Sequence, residues 1–338
     1  PLSREIRRNH TEILLHTGQH YDLEMSGVFF SELNIPEPDY NLNIGSCSHG
    51  EQTGKMVIGI ERVLIREQPD VVIVYGDTNS TLAGALAASK LQIPIAHVEA
   101  GLRSFDRTMP EEINRILTDH VSDMLFCPTK KAVNNLKTEG ITKGASNVGD
   151  VMMDAVLYNL KVSEEQSSIL DYMDLRSNDY MLATVHRASN TDKKENLSSI
   201  IKALLDSNEN IIFPIHPRTK NYLIQYGLWE RVNKYLTLIP PVGYLDMLKL
   251  MANAKKILTD SGGVQKEAYM LKIPCITMRD TTEWIETVDS GWNSLVGSNY
   301  GKILDSIRDT SQPTKWELLY GNGNASEKIV RCIDARFS

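Results

Sequence analysis

Residues 70–103 read DVVIVYGDTNSTLAGALAASKLQIPIAHVEAGLR. A continuous apolar run, DVVIVYGD (70–77), stops at a polar turn. A helix-like segment, TLAGALAASKL, follows, and then a second apolar run, PIAHVEAG (94–101). Continuous Val/Ile/Leu runs, rather than alternating ones, belong to strands buried on both faces. Strand, helix and strand in this order form the βαβ unit of a parallel sheet.

The same alternation extends in both directions. Strand-like runs recur at EILLHTG (12–18), MLFCPT (124–129), YMLATVH (180–186), NIIFPIH (210–216), KKILTD (255–260) and KIPCITM (272–278). GKMVIGIERVLIREQ (54–68) and PEEINRILTDHVSDM (110–124) carry apolar residues at helical spacing between them. A chain of 338 residues is too long for one ordinary core. The fold class expected is therefore α/β, with two Rossmann-like doubly wound domains facing a cleft. The joint falls near 155–175, where a helix gives way to the polar stretch before YMLATVH. The division reads as 1–160, 161–312 and a tail, 313–338, of helices around the turn YGNGNAS, packing back on the first domain.

Composition narrows the function classes. Hydrophobic residues are 41% and charged residues 23%, as in a globular protein. Net charge is -7 and no Lys/Arg run stands out, which argues against nucleic acid as a partner. No apolar stretch approaches the length of a membrane span. Four widely spaced cysteines form no CxxC pair, and Cys127 and Cys275 lie in apolar runs. That pattern reads as buried free thiols in a reducing, cytoplasmic setting. PLSREIRRNH (1–10) reads as the end of a helix, so a leading strand and its loop are expected to precede Pro1.

The informative loops follow strand ends, where open α/β sheets bind ligands. In TDSGGVQKEA (259–268), Gly262 and Gly263 lie where a helix begins, and free amides there suit a phosphate. Ser261 would cap the helix or bond the ligand, and Glu267 would accept bonds from ribose hydroxyls. The alternative is an ordinary turn that needs glycine for its dihedrals. Lys266 is expected to face solvent. Asp77 and Glu99 end adjacent strands and could share one pocket as general acid/base groups. Thr78 could cap the helix after Asp77, which is otherwise a turn residue. Glu111 and Glu112 open a helix behind Pro110, with Arg115 one turn on; first-turn acids are also ordinary helix chemistry. His186-Arg187 and His216, close to Arg218, end two strands and favour an anion site over a metal, since no HxxxH, HExxH or Cys/His cluster is present. His20, in TGQHYD (17–22), faces the same loop system or starts a surface helix.

Together these residues resemble a known family. TGQH (17–20), GDT (76–78), HVEAGLR (97–103), PEEINR (110–115), HR (186–187), TDSGGVQKEA (259–268) and RDTTE (279–283) match, in order and spacing, the non-hydrolysing UDP-N-acetylglucosamine 2-epimerases. The resemblance implies a glycosyltransferase-B-like fold, a UDP-sugar substrate and inversion at C2 of the N-acetylhexosamine. UDP is eliminated to a 2-acetamidoglucal and then added back, without a redox or metal cofactor. Asp77, Glu99, Glu111 and His186 match the family's catalytic residues. His20, Arg115, Arg187, His216, Ser261, Gly262, Gly263 and Glu267 fall on its substrate-binding positions. A homodimer, and activation by substrate at a neighbouring site, are also implied.

Some features depart from the pattern. The family's basic GTRPE-like loop should precede Pro1, Met247 stands where many members place an aromatic near the uracil, and TERPE reads TEWIE (282–286). The last of these keeps open a related substrate such as UDP-2,3-diacetamido-glucuronic acid. A hydrolysing epimerase, a glycosyltransferase of the same fold and an inactive UDP-sugar-binding module are the other readings.

Overall fold

A computed structural model of the chain describes residues 1–18, 32–33, 35–311, 313 and 315–337. Two compact units emerge: Pro1–Ala155 with Leu319–Ser338, and Val156–Leu318. The division falls inside the helix Val151–Gln166.

In the first unit, strands β1 (Leu15–His16) and β2 (Tyr40–Asn41) form a parallel pair of their own. Strands β3 (Val72–Tyr75), β4 (Ile95–Val98), β5 (Met124–Cys127) and β6 (Ala145–Asn147) form a four-stranded parallel sheet in that order. Val74 pairs with His97, and Val98 with Phe126. Both faces are covered, as the continuous apolar runs require. On one face Ile95 packs with Met56, Ile60 and Leu64 of the helix His49–Glu67 and the alanines of the helix Asn79–Lys90. On the other, Ala96, Val98 and Phe126 pack with Leu2, Ile6, Ile329 and Ile333. The tail supplies that second face. It contains one helix among the described residues, Ala325–Phe337, rather than helices on both sides of its Gly-Asn turn.

In the second unit, β7 (Met181–Thr184), β8 (Ile211–Pro214), β9 (Thr237–Ile239), β10 (Lys256–Thr259), β11 (Cys275–Thr277) and β12 (Asn293–Leu295) make a six-stranded parallel sheet. Their order is β12-β11-β10-β7-β8-β9. The first strand, β7, is central, and the chain winds outward from it in both directions. The reversal between β7 and β10 is the topological switch point, where a crevice opens beyond the strand ends. Alternate residues of β7 and its lead-in serve opposite layers: Met181 and Ala183 one, Tyr180 and Leu182 the other.

The cysteines are free, with Cys127 and Cys275 buried. Burial pushes the Cys127 thiol up to about 12. No helix among the described residues is long and apolar enough to cross a membrane.

Candidate active site

In the first unit, β3 is followed by Gly76 and Asp77. Gly76 turns with φ +65, and its amide donates to the Val98 carbonyl at 3.0 Å, tying the turn to the end of β4. Thr78 caps the helix Asn79–Lys90 by accepting from the Thr81 amide. The Asp77 carbonyl accepts from Asn114 Nδ2 at 2.9 Å, and its carboxylate accepts from Arg115 Nη2 at 2.5 Å. Glu99 has φ 76, a left-handed conformation that a non-glycine residue rarely holds. The conformation aims its carboxylate at the Asp77 turn: a Cβ on Gly76 would stand 3.4 Å from Glu99 Oε2. Asp77 and Glu99 are thus brought together at the ends of neighbouring strands, with Arg115 of the helix Pro110–Val121 bonded to Asp77.

Glu111 and Glu112 share the first turn of the helix Pro110–Val121, but their environments differ. Glu111 is exposed. Glu112 is buried and latches the preceding loop, accepting from the Ser104 and Phe105 amides at 2.9 and 3.0 Å and from Arg115 Nη1 at 2.8 Å. Burial opposes its ionisation, yet these bonds outweigh it and hold the carboxyl below the usual carboxylate range. Glu112 is therefore structural, and it fixes one side of Arg115 while Asp77 holds the other. His20 lies outside the described residues.

In the second unit, the loops after β7 and β10 meet at the switch point. Asp260, fully buried, joins them. It accepts from the His186 amide at 3.1 Å, the Arg187 amide at 3.0 Å and Asn190 Nδ2 at 3.0 Å. Reading the motif by its glycines passed over this acid; its signal is a carboxylate directly after a fully buried strand. His186 and His216 lie with ring centroids 5.6 Å apart. His216 caps the helix Pro217–Gln225, its Nδ1 accepting from the Arg218 amide at 3.1 Å. Burial, then the charges of His186 and Arg218, hold His216 below the usual histidine value and favour its neutral form.

Ser261 is the N-cap residue of the helix Gly262–Met270, without a side-chain capping bond. Neither Gly262 nor Gly263 has positive φ. A Cβ on Gly263 would meet nothing within 4 Å, and one on Gly262 only ordinary contacts with Arg279, Glu283 and Trp284. Neither dihedral strain nor packing demands glycine here. What the two glycines do is leave the helix N-terminus bare, so that a ligand can reach the amides. Arg279 and Glu283 form a bidentate pair, both bonds 3.0 Å, beside this turn.

Glu267 is nine-tenths buried and accepts from the Tyr244 hydroxyl at 2.9 Å. Burial raises its carboxyl above the usual range. A cavity of about 170 Å³ opens at the C-terminal ends of β7 and β8, walled by His186, His216, Pro241, Val242, Met247 and Val264. Its lining is mostly apolar, with the two histidines among the lining residues. A larger groove of about 660 Å³, lined by Glu195, Asp280, Asn299 and Lys302, contains none of the sequence-predicted residues.

Lys266 does not face solvent. It is 1% exposed, and its Nζ lies 4.2 Å from the ring centroid of Trp284. Residues 265–270 of its helix are all buried, so the helix has no wet face at this position. Aromatic rings attract an ammonium group even when it is desolvated. Lys266 and the Trp of TEWIE, where the sequence departs from the family pattern, therefore form one contact.

A family model described as UDP-N-acetylglucosamine 2-epimerase matches residues 4–334. The chain belongs to the UDP-N-acetylglucosamine 2-epimerase family. A Methanococcus maripaludis UDP-N-acetylglucosamine 2-epimerase homolog is 61% identical, covering 98% of this chain and 94% of that relative. A Pseudomonas aeruginosa UDP-2,3-diacetamido-2,3-dideoxy-D-glucuronate 2-epimerase is 51% identical, covering 96% and 91%. Among solved structures, the Methanocaldococcus jannaschii UDP-GlcNAc 2-epimerase in complex with UDP-GlcNAc and UDP superposes with a TM-score of 0.89 at 51% identity, covering 99% of this chain and 95% of that one. This family member accordingly has the two-domain, glycosyltransferase-B-like α/β fold that its sequence suggests.

Proposed function

We propose that the chain interconverts UDP-GlcNAc and UDP-ManNAc by the non-hydrolysing route. The observation that carries this reading is the convergence of Asp77 and Glu99 at neighbouring strand ends. In the proposed reaction a carboxylate of the first unit removes the proton from C2. The C1–O bond breaks, UDP departs with its electron pair, and a C1=C2 double bond gives the 2-acetamidoglucal. The proton returns to the opposite face of C2, and UDP adds back at C1. A proton on an acetamido-bearing carbon is weakly acidic, so the base needs a well-stabilised leaving group.

The second unit supplies that stabilisation in this reading. The bare N-terminus of the helix Gly262–Met270, with Ser261, Arg187 and His216, would take the diphosphate. The apolar cavity suits the uracil, and Glu267 the ribose. Asp77, Glu99, Glu111 and His186 are the proposed catalytic residues, with Arg115 and His20 binding substrate. Two buried free thiols support a reducing, cytoplasmic setting, and symmetry makes a homodimer the default assembly. Substrate activation would appear as a sigmoidal dependence of rate on UDP-GlcNAc.

A second substrate has its own support. The Pseudomonas relative is named for a diacetamido-uronate, and this chain carries a Lys266–Trp284 contact beside the sequence that departs from the family pattern. Incubation with UDP-GlcNAc and, separately, with UDP-2,3-diacetamido-glucuronic acid, with products identified by NMR, decides between them. UDP-ManNAc from the first supports the main reading. Turnover of the second alone transfers the proposal to that sugar. Free ManNAc with UDP points to hydrolysis instead.

A further inference from the structure

Asp119 lies on the helix Pro110–Val121, in none of the roles assigned above, and is 1% exposed. Three groups converge on its carboxylate. His97 Nδ1 donates to Oδ1 at 2.7 Å, the Gly101 amide to Oδ2 at 3.1 Å, and Arg103 Nη1 to Oδ2 at 2.7 Å. All three donors come from the single run HVEAGLR, and they flank Glu99. Burial opposes the ionisation of Asp119, but His97 and Arg103 outweigh it and hold the carboxyl below its usual range.

His97 carries the connection further. It is fully buried in β4, and its Nε2 donates to the carbonyl of Gly76 at 2.8 Å, one residue before Asp77. Both ring partners are acceptors, so both ring nitrogens are engaged. Arg103 is in turn held by Glu139 through two bonds of 2.7 Å. Gly101 has φ +78, and a Cβ there would collide with the carbonyl oxygen of Ala132. The loop after Glu99 therefore has one available path, and Asp119 closes it. The same helix that holds Asp77 by Asn114 and Arg115 holds the Glu99 loop one turn later by Asp119.

We infer that Asp119 and His97 are positioning residues for the epimerisation: together they set Asp77 and Glu99 relative to each other, Asp119 by fixing the Glu99 loop and His97 by fixing the Gly76–Asp77 turn. The inference rests on the reading that Asp77 and Glu99 handle the C2 proton. It goes beyond that reading in assigning work to two groups that touch no substrate. Displacing a reacting group by about 1 Å costs on the order of a hundredfold in rate.

The test compares Asp119→Asn, His97→Gln and His97→Leu with Asp77→Asn and Glu99→Gln. Turnover, KM, UDP affinity and the melting temperature are measured for each. Asp119→Asn removes the charge at nearly constant shape. His97→Gln keeps an amide donor for the Gly76 carbonyl, and His97→Leu removes it. The expected result is a fall of about ten- to a hundredfold in kcat for Asp119→Asn and His97→Leu at unchanged KM and UDP affinity, with partial recovery in His97→Gln. A role in stability alone would lower the melting temperature and leave the kcat of the folded protein unchanged. Wild-type kcat in folded Asp119→Asn and His97→Leu, while Asp77→Asn and Glu99→Gln are inactive, overturns the positioning role alone. Wild-type kcat in Asp77→Asn and Glu99→Gln overturns the underlying reading. If one of Asp119→Asn and His97→Leu fails to fold, the other decides: wild-type kcat at unchanged KM in the folded variant refutes the role.

Discussion

The two units solve opposite problems at their strand ends. In the first, three acids are gripped: Asp77 by Arg115, Glu112 by Arg115 and two amides, and Asp119 by three donors. Glu99 is held in a left-handed conformation that its loop imposes. In the second, the decisive feature is bareness, two glycines that neither strain nor packing requires. Proton chemistry needs carboxylates fixed to a fraction of an ångström, whereas an anion needs amides that nothing else occupies. The same α/β scaffold thus provides rigidity in one unit and vacancy in the other.

That contrast can be broken most severely in the first unit. Asp77→Asn keeps the shape but removes the carboxylate, and should lower kcat by about a hundred- to ten-thousandfold while UDP titration gives an unchanged affinity. An equal loss of UDP affinity would dissolve the division of labour. Next comes Gly263→Val, which fills the open space above the helix. It should weaken UDP binding about tenfold or more, read by calorimetry, while the melting temperature without nucleotide stays at or above that of the parent. A glycine substitution at Gly101 in the first unit should do the reverse and lower the melting temperature, because its φ and the Ala132 carbonyl both forbid a side chain.

Glu267→Gln sharpens the comparison through pH. Burial raises this carboxyl in the folded protein, so the protonated form is favoured there. Its contribution to stability is complete below the unfolded carboxylate range and is lost as pH rises through the raised folded value. At about pH 8 the Gln variant should therefore melt above the parent, with the gap closing toward acid pH, while its UDP affinity falls roughly ten- to a hundredfold. The smallest effect is at Lys266. Lys266→Met removes a buried cation at similar volume and should change stability by about 1 kcal/mol or less, whereas Trp284→Leu, which takes the ring from a buried ammonium, should cost more. Thermal melts of the two variants measure the difference.

What was legible in the sequence follows from burial. The eight runs identified as strands all contain a strand of the structure, and those at the centre of the sheets need apolar residues toward both layers. Strands β2, β6, β9 and β12 carry no such signal. Three of them are sheet edges and the fourth belongs to the small separate pair, and YN, ASN, TLI and NSL carry no continuous apolar run. Backbone pairing, rather than side-chain burial, defines them. The candidate site divides in the same way. Asp77, Glu99 and the glycine turn stand out because strand-end loops expose unusual residue types. Asp119 and Asp260 do not, because a buried acid is intelligible only through the donors that converge on it from distant segments. Lys266 misled for a related reason: charge in a helix suggests solvent, and only the fold shows Trp284 beside it.

The most direct test takes one sample of Glu99→Gln beside the parent in deuterium oxide and follows deuterium entry at C2 of UDP-GlcNAc by NMR, with UDP titrated into the same samples. The account predicts wash-in and UDP-ManNAc formation in the parent, neither in the variant, and one shared UDP affinity. Deuterium entering at the parent's rate in Glu99→Gln would contradict it.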